Sequence, residues 1–185
     1  MNQLTKEDRI NTVFGGGGHV VILGAGASIA TTILRPESNG KVLPSMLNLI
    51  EIVGLQDLVN SIPSYLHSRN FEVLFSRISR IKKYQKIASE IESRVYDYFN
   101  NMKLPDEPTI YDYSVLSLRP RDLIASFNWD PFLMQAHARN RHVGDLPPLA
   151  FLHGNVAVGY SNVDKGFGFP GMTLRKTLQY YKPSK

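Results

Sequence analysis

Residues 20–30 read VVILGAGASIA. Four aliphatic residues run directly into Gly24-Ala25-Gly26-Ala27-Ser28, a stretch almost without side chains. Extended back to His19, the first part (HVVIL) predicts a buried strand, uncharged after the histidine and bounded by glycine at both ends. The second part predicts a turn that opens a helix. A helix start leaves N–H groups unpaired and carries partial positive charge, so it attracts anions. Gly24 and Gly26 lack the Cβ atoms that would hold a phosphate away, and Ser28 offers a hydroxyl as a cap or a phosphate donor. A tight turn with nothing bound is the alternative. Two familiar phosphate loops do not fit. No Gly-Lys-Ser/Thr is present, Ile29 stands where a dehydrogenase places its third glycine, and no obvious ribose-binding acid lies about 20 residues on.

Two further strand-like segments lie downstream. DLIASF (122–127) runs into Asn128-Trp129-Asp130-Pro131, and LAFL (149–152) runs into His153-Gly154-Asn155. A helical PFLMQAHARNRH separates them. Strand, helix and strand predict an α/β fold with a parallel sheet and right-handed crossovers. From about 44 to 118 the apolar spacing becomes three and four, which predicts a large helical insertion between the first two strands. Within it, Phe71, Val73, Leu74, Phe75, Ile78, Ile81, Ile87, Ile91 and Val95 trace one apolar stripe over about 30 residues, read as core packing. Pro105 and Pro108 break the helices. Residues 1–14 read as a polar lead-in, and Gly15 to Gly18 as a flexible hinge.

Composition narrows the chemistry. The chain has 185 residues, 43% of them hydrophobic and 20% charged, which fits one soluble domain spanning 1–185. It has no cysteine, which excludes disulfides, a thiol nucleophile and cysteine-ligated zinc or iron–sulfur sites. MNQLTKEDRI leads into no signal-like apolar run, and nowhere do about 18 apolar residues run together. A cytoplasmic location, away from membranes, is the expectation. The net charge of +5 admits nucleic acid as a partner. Its clearest cluster, Arg77, Arg80, Lys82, Lys83 and Lys86, reads first as a solvated helix face and second as a phosphate-binding one.

In an open parallel sheet, ligands bind outside the carboxyl ends of the strands. Here those ends carry Gly-Ala-Gly-Ala-Ser, Asn-Trp-Asp and His-Gly, so neighbouring strands would bring them to one cleft. Asn128 and Asp130 alternate around Trp129 and point the same way, offering an amide and a carboxylate to a hydroxyl, a carboxamide or a water. An Asx-type turn before Pro131 is the alternative, and it accounts for Asp130 better than for Asn128. His153 ends a predicted core strand, followed by glycine, where an imidazole is a candidate general base. His19, His67, His137 and His142 show no ligand spacing and receive no role.

Taken in order, GAGAS, FNWD and LHG resemble the sirtuin family, and more closely the sirtuin-like domains of prokaryotic anti-phage defence proteins. RPESNGKVLPSM, NFEVLFSRIS, DYSVLSLRPRDLIASFNWDPFL and LHGNVAVGY extend the resemblance over roughly residues 18–160. It implies a Rossmann-like sheet that binds NAD as a substrate, without a metal, and breaks the bond between nicotinamide and ribose. On that likeness Gly24, Ala25, Gly26, Ala27 and Ser28 hold the pyrophosphate and nearby ribose. Asn128 contacts the nicotinamide ribose and positions water, Asp130 holds the carboxamide, and His153 is the base. The absence of cysteine departs from the four-cysteine zinc module of sirtuin deacylases and favours NAD hydrolysis over deacylation. The family fold continues past its histidine, so the likeness also implies a truncated or minimal domain, completed by a partner subunit or a second copy. Three alternatives stay open: a non-catalytic NAD or ADP-ribose sensor, a deacylase, and a basic nucleic-acid-binding protein.

Overall fold

The strands form where β-branched and small apolar residues allow flat pairing: β1 (Val20–Leu23), β2 (Leu123–Ser126) and β3 (Leu149–Phe151). In the computed structural model, which describes residues 5–8, 10, 16–32, 43–158, 160–161 and 166–167, they make one parallel sheet in the order β1-β2-β3. The fold is therefore mixed α/β around a small parallel sheet. Leu23 pairs with Ser126, and Ser126 with Phe151, so the three carboxyl ends finish abreast. Backbone bonds from Phe127 to Leu23 and from Leu152 to Ser126 carry that alignment one residue further. A short antiparallel pair, β4 (Tyr160–Ser161) with β5 (Gly166–Phe167), follows.

Helix α1 (Ala25–Thr32) leaves directly from β1. The expected insertion contains α2 (Leu49–Val53), α3 (Gln56–Asn60), α4 (Phe71–Ile78), α5 (Gln85–Asn100) and α6 (Ile110–Ser117), with single 3-10 turns at Ser64–Leu66 and Lys82–Tyr84. Then α7 (Phe132–Asn140) returns the chain from β2 to β3. The long amphipathic stretch is two helices rather than one. Ile81 is extended and breaks the helical backbone between α4 and α5. Phe71, Leu74, Ile78, Ile91 and Val95 are buried as the stripe requires, but Val73 lies off it and is 41% exposed.

Three other readings change. Strand β1 is not buried on both faces: Val20 is 62% and Ile22 64% exposed, because nothing among the described residues covers that face. The basic cluster does not ring one helix. Arg77, Arg80, Lys82, Lys83 and Lys86 are exposed across the break between α4 and α5, and Arg77 is bonded to the His67 carbonyl. The glycine run is not a free hinge either. Gly16 takes a left-handed conformation at φ +124°, and Gly18 passes so close to β2 that a Cβ there would lie 2.5 Å from the Arg121 carbonyl oxygen. Gly15, most of the lead-in and the stretch 33–42 lie outside the described residues.

Side-chain hydrogen bonds set two junctions that matter for the site. Asp122 accepts from the His19 N–H at 2.8 Å and from the Arg119 guanidinium, locking the start of β1 beside β2. The Arg119 hydrogen bonds hold its carboxyl well below the usual range. Helix α6 starts with a capping box between Thr109 and Asp112. Arg139 and Asn140 of α7 bind the same carboxylate. Burial would raise the Asp112 pKa, but hydrogen bonds from Arg139, Thr109 and Asn140 outweigh it and bring it down to about 2. Helices α6 and α7 are thus fixed to each other one residue from Tyr111.

Gly18→Ala tests the close approach of β1 and the Arg121 turn. The added methyl meets backbone that has no free rotamer to move, and we expect a loss of roughly 1–3 kcal/mol in urea unfolding. An unchanged midpoint would contradict that contact.

Candidate functional site

The register of the sheet delivers three strand ends to one edge, and side chains that follow the first two meet below the surface. Ser28 projects from the second turn of α1 and is 1% exposed. Its Oγ donates to Asp130 Oδ2 at 2.6 Å and lies 2.6 Å from the Tyr111 hydroxyl. Because the single serine proton goes to the carboxylate, Tyr111 donates to Ser28. Asn128 completes the group. Its Nδ2 lies 2.9 Å from the Gly24 carbonyl, 2.8 Å from Ser28 Oγ and 2.9 Å from Tyr111 Oη. A carbonyl only accepts, so the bond to Gly24 identifies that atom as nitrogen and leaves Asn128 Oδ1 for another donor.

These contacts give the predicted residues different positions from one another. Asn128 and Asp130 do point the same way, into a shared polar cluster. Asp130 also makes the local turn contact, accepting from the Phe132 N–H through Oδ1. Both of its oxygens are therefore engaged inside the protein. Ser28 is neither a cap nor a surface donor; its hydroxyl faces inward. Ala27 packs against the hydrophobic core.

Gly24 and Gly26 differ from Gly18. Among the described residues, a Cβ built on either meets nothing within 4 Å, and neither has a left-handed backbone. The described residues therefore give no steric reason for glycine at these two positions.

His153 stands two residues beyond β3, exposed, with its ring edge-on to Phe127 at 4.9 Å between centroids. A cavity of about 220 Å³ opens at this edge of the sheet. Its walls include Ala25 and Ser28 from α1, Asn128, Trp129 and Asp130 from the loop after β2, and His153. Residues from the ends of all three strands thus face one space.

Two positioning residues had no sequence signal assigned to them. Tyr111 is fully buried on α6 and ties Ser28 to Asn128 across the molecule. Asn155 donates to the Asn128 and Asp130 carbonyls at 3.1 and 2.6 Å, while its own oxygen accepts from the Ala157 N–H. It clamps the loop carrying His153 onto the loop carrying Asn128. Gly154 between them has φ +80°, a turn that a side chain disfavours. An asparagine two residues after a histidine is a turn residue by composition, and only the long-range bonds reveal the clamp.

Burial sets the electrostatics of the cluster. It pushes the Asp130 carboxyl up to about 6, against hydrogen bonds from Ser28 and the Phe132 N–H that favour ionisation. Burial, helped by the Asp130 charge, also pushes the Tyr111 hydroxyl well above the usual tyrosine range, so it remains a donor. Among the described residues, no three His, Asp or Glu side chains gather as a metal-binding group. None of the described helices is long and apolar enough to cross a membrane. No protein-family model and no curated protein matches the chain.

Asp130 carries a stability signature. Its folded pKa of about 6 lies above the unfolded value near 3.9, so the folded state binds the proton more tightly. Stability from this group is fully present below about pH 4 and is lost as pH rises through 6, by roughly 3 kcal/mol. Urea unfolding across that window reads the slope. Asp130→Asn, which cannot ionise, flattens it; an equal slope in the variant would assign the pH dependence elsewhere.

Proposed function

We propose that the chain is a Rossmann-like NAD glycohydrolase, cleaving NAD to nicotinamide and ADP-ribose, and that it serves bacterial or prophage defence as the sirtuin-like domains it resembles do. The observation that carries this reading is the convergence of the start of α1 (Ala25 and Ser28), Asn128 and His153 on one cavity, with Gly24 and Gly26 beside Ala25 though not among its lining residues. The two glycines add to it. Their free Cβ space is accounted for by a ligand that comes close to the backbone, and the start of α1 suits a diphosphate.

In this reading the bond between the ribose C1′ and the pyridinium nitrogen breaks, and the electron pair leaves with nicotinamide. The leaving group departs neutral, so no acid need protonate it. The ribose is left with oxocarbenium character, as in glycoside hydrolysis. Water forms the new C–O bond and gives its proton to His153, while Asn128 Oδ1 accepts from a ribose hydroxyl or from that water. Asp130 and Ser28 act one layer deeper. Their hydrogen bonds hold Asn128 in place, and the diphosphate is left to backbone N–H groups rather than to the Ser28 hydroxyl. Polar groups fixed in advance at a site of changing charge are the usual source of such rate enhancement.

Incubating the folded protein with NAD and measuring nicotinamide by chromatography tests the reaction. Asn128→Ala and His153→Ala are expected to lower the rate by about 100-fold or more. Gly26→Ala separates ligand from fold: helix propensity predicts equal stability or a gain of up to about 1 kcal/mol, with a raised KM for NAD. Binding of NAD without turnover would select the sensor reading. No binding and no product would end both.

A further inference from the structure

The strand order β1-β2-β3 means that both connections step across the sheet in the same direction. Crossovers between parallel strands are right-handed, so the two lie on one face. On that face Leu23, Ile124, Leu149 and Phe151 join the hydrophobic core or pack against it. Alternation and the observed register send Val20, Ile22, Ala125 and Ala150 the other way, with Phe127 and Leu152 one step past the strand ends. Val20 and Ile22 are more than half exposed, Leu152 is 50% exposed and Phe127 43%. No helix among the described residues covers this second face. A parallel sheet is ordinarily covered on both faces, and both faces of this one are apolar.

We infer that the open face is a docking surface for residues 173–182 of the same chain, TLRKTLQYYK, laid across it as an amphipathic helix. These residues lie outside the described ones, and their sequence carries the argument. Leu174, Leu178 and Tyr181 fall at i, i+4 and i+7, on one side of a helix, while Arg175, Lys176 and Gln179 fall on the other. Pro170 precedes the stretch and Pro183 follows it, as helix limits do. Ten residues of helix span about 15 Å, against about 10 Å across three strands and about 13 Å along four residues.

The size of the patch selects this occupant over a second copy. Val20, Ile22, Phe127 and Leu152 together expose on the order of 300 Å² of apolar side chain. Two chains need about 800 Å² on each side for stable association, whereas one short helix with three apolar side chains matches the smaller patch. The tether suffices as well. From Val158 to Leu174 the chain can reach about 50 Å, more than the roughly 40 Å width of a domain this long. Docking also bears on the candidate site, without resting on the NAD reading. Phe127 and Leu152 stand directly before Asn128 and His153, so a helix against them supports both loops from behind.

The chain has no cysteine, so a cysteine pair can be introduced without competing thiols. In the full chain, Ile22→Cys with Leu178→Cys should be joined within one molecule by a short bis-maleimide, the linked peptides being identified by mass spectrometry. Ile22→Cys with Lys176→Cys, whose second position faces away, should be joined several-fold more slowly. Thermal melts supply a second readout. Ile22→Ser and Leu178→Asp should each lower the melting temperature by several degrees, and the double variant by little more than one of them, because each removes the same contact. Equal joining of the two pairs, links only between molecules, an Ile22→Ser variant as stable as the parent, or losses that add overturns the inference. Links between molecules would make a second copy the occupant.

Discussion

One oxygen atom, Ser28 Oγ, joins three parts of the chain that are far apart in sequence. It accepts from Tyr111 on α6 and Asn128 after β2, and it donates to Asp130. A hydroxyl buried this deeply is costly unless its lone pairs and proton are all engaged, and here they are. Low surrounding polarity strengthens each bond and penalises any partial arrangement, so the cluster admits one geometry. The start of α1, the loop after β2 and helix α6 are consequently set in a fixed relation. Loss of that oxygen would leave a carboxylate and an amide without their shared partner.

The parallel sheet makes this meeting possible. Because Leu23, Ser126 and Phe151 lie abreast, each strand releases its loop at the same height. The hydrogen bonds then divide labour by depth. Ser28, Tyr111 and Asp130 face inward and fix the position of Asn128, whose Oδ1 takes no part in those bonds. The glycine turn and His153 face outward, where the chain has left space. A rigid polar floor beneath an accessible edge is what the proposed reaction calls for, since charge on the ribose changes there.

Much of this was legible in sequence for a physical reason. Strands of three or four residues flanked by turn-forming residues declare themselves locally, and the rule that ligands gather at carboxyl ends converts three local signals into one candidate site. What stayed hidden depends on long-range contacts. Tyr111 sits among Ile110 and Tyr113 in an unremarkable helix, and nothing in that spacing announces a bond to Ser28. Asn155 resembles any turn asparagine. The break between α4 and α5 was masked because Ile81 keeps the apolar period while its backbone leaves the helix. Val20 and Ile22 look like core residues by type, but a residue's type does not say whether another element covers its face. Ser28, beside the turn, suggests a cap or a phosphate donor by position alone, but its inward direction follows from the partners waiting on α6 and after β2.

The central claim is that these three strand ends form a seat for the reacting half of NAD. A crystal structure with a hydrolysis-resistant NAD analogue tests it most directly. The account predicts the diphosphate against the backbone of Gly24 to Gly26, with a ribose hydroxyl bonded to Asn128 Oδ1 and His153 on the same sugar. An analogue bound elsewhere on a folded chain, or seated with its ribose away from both side chains, would contradict it.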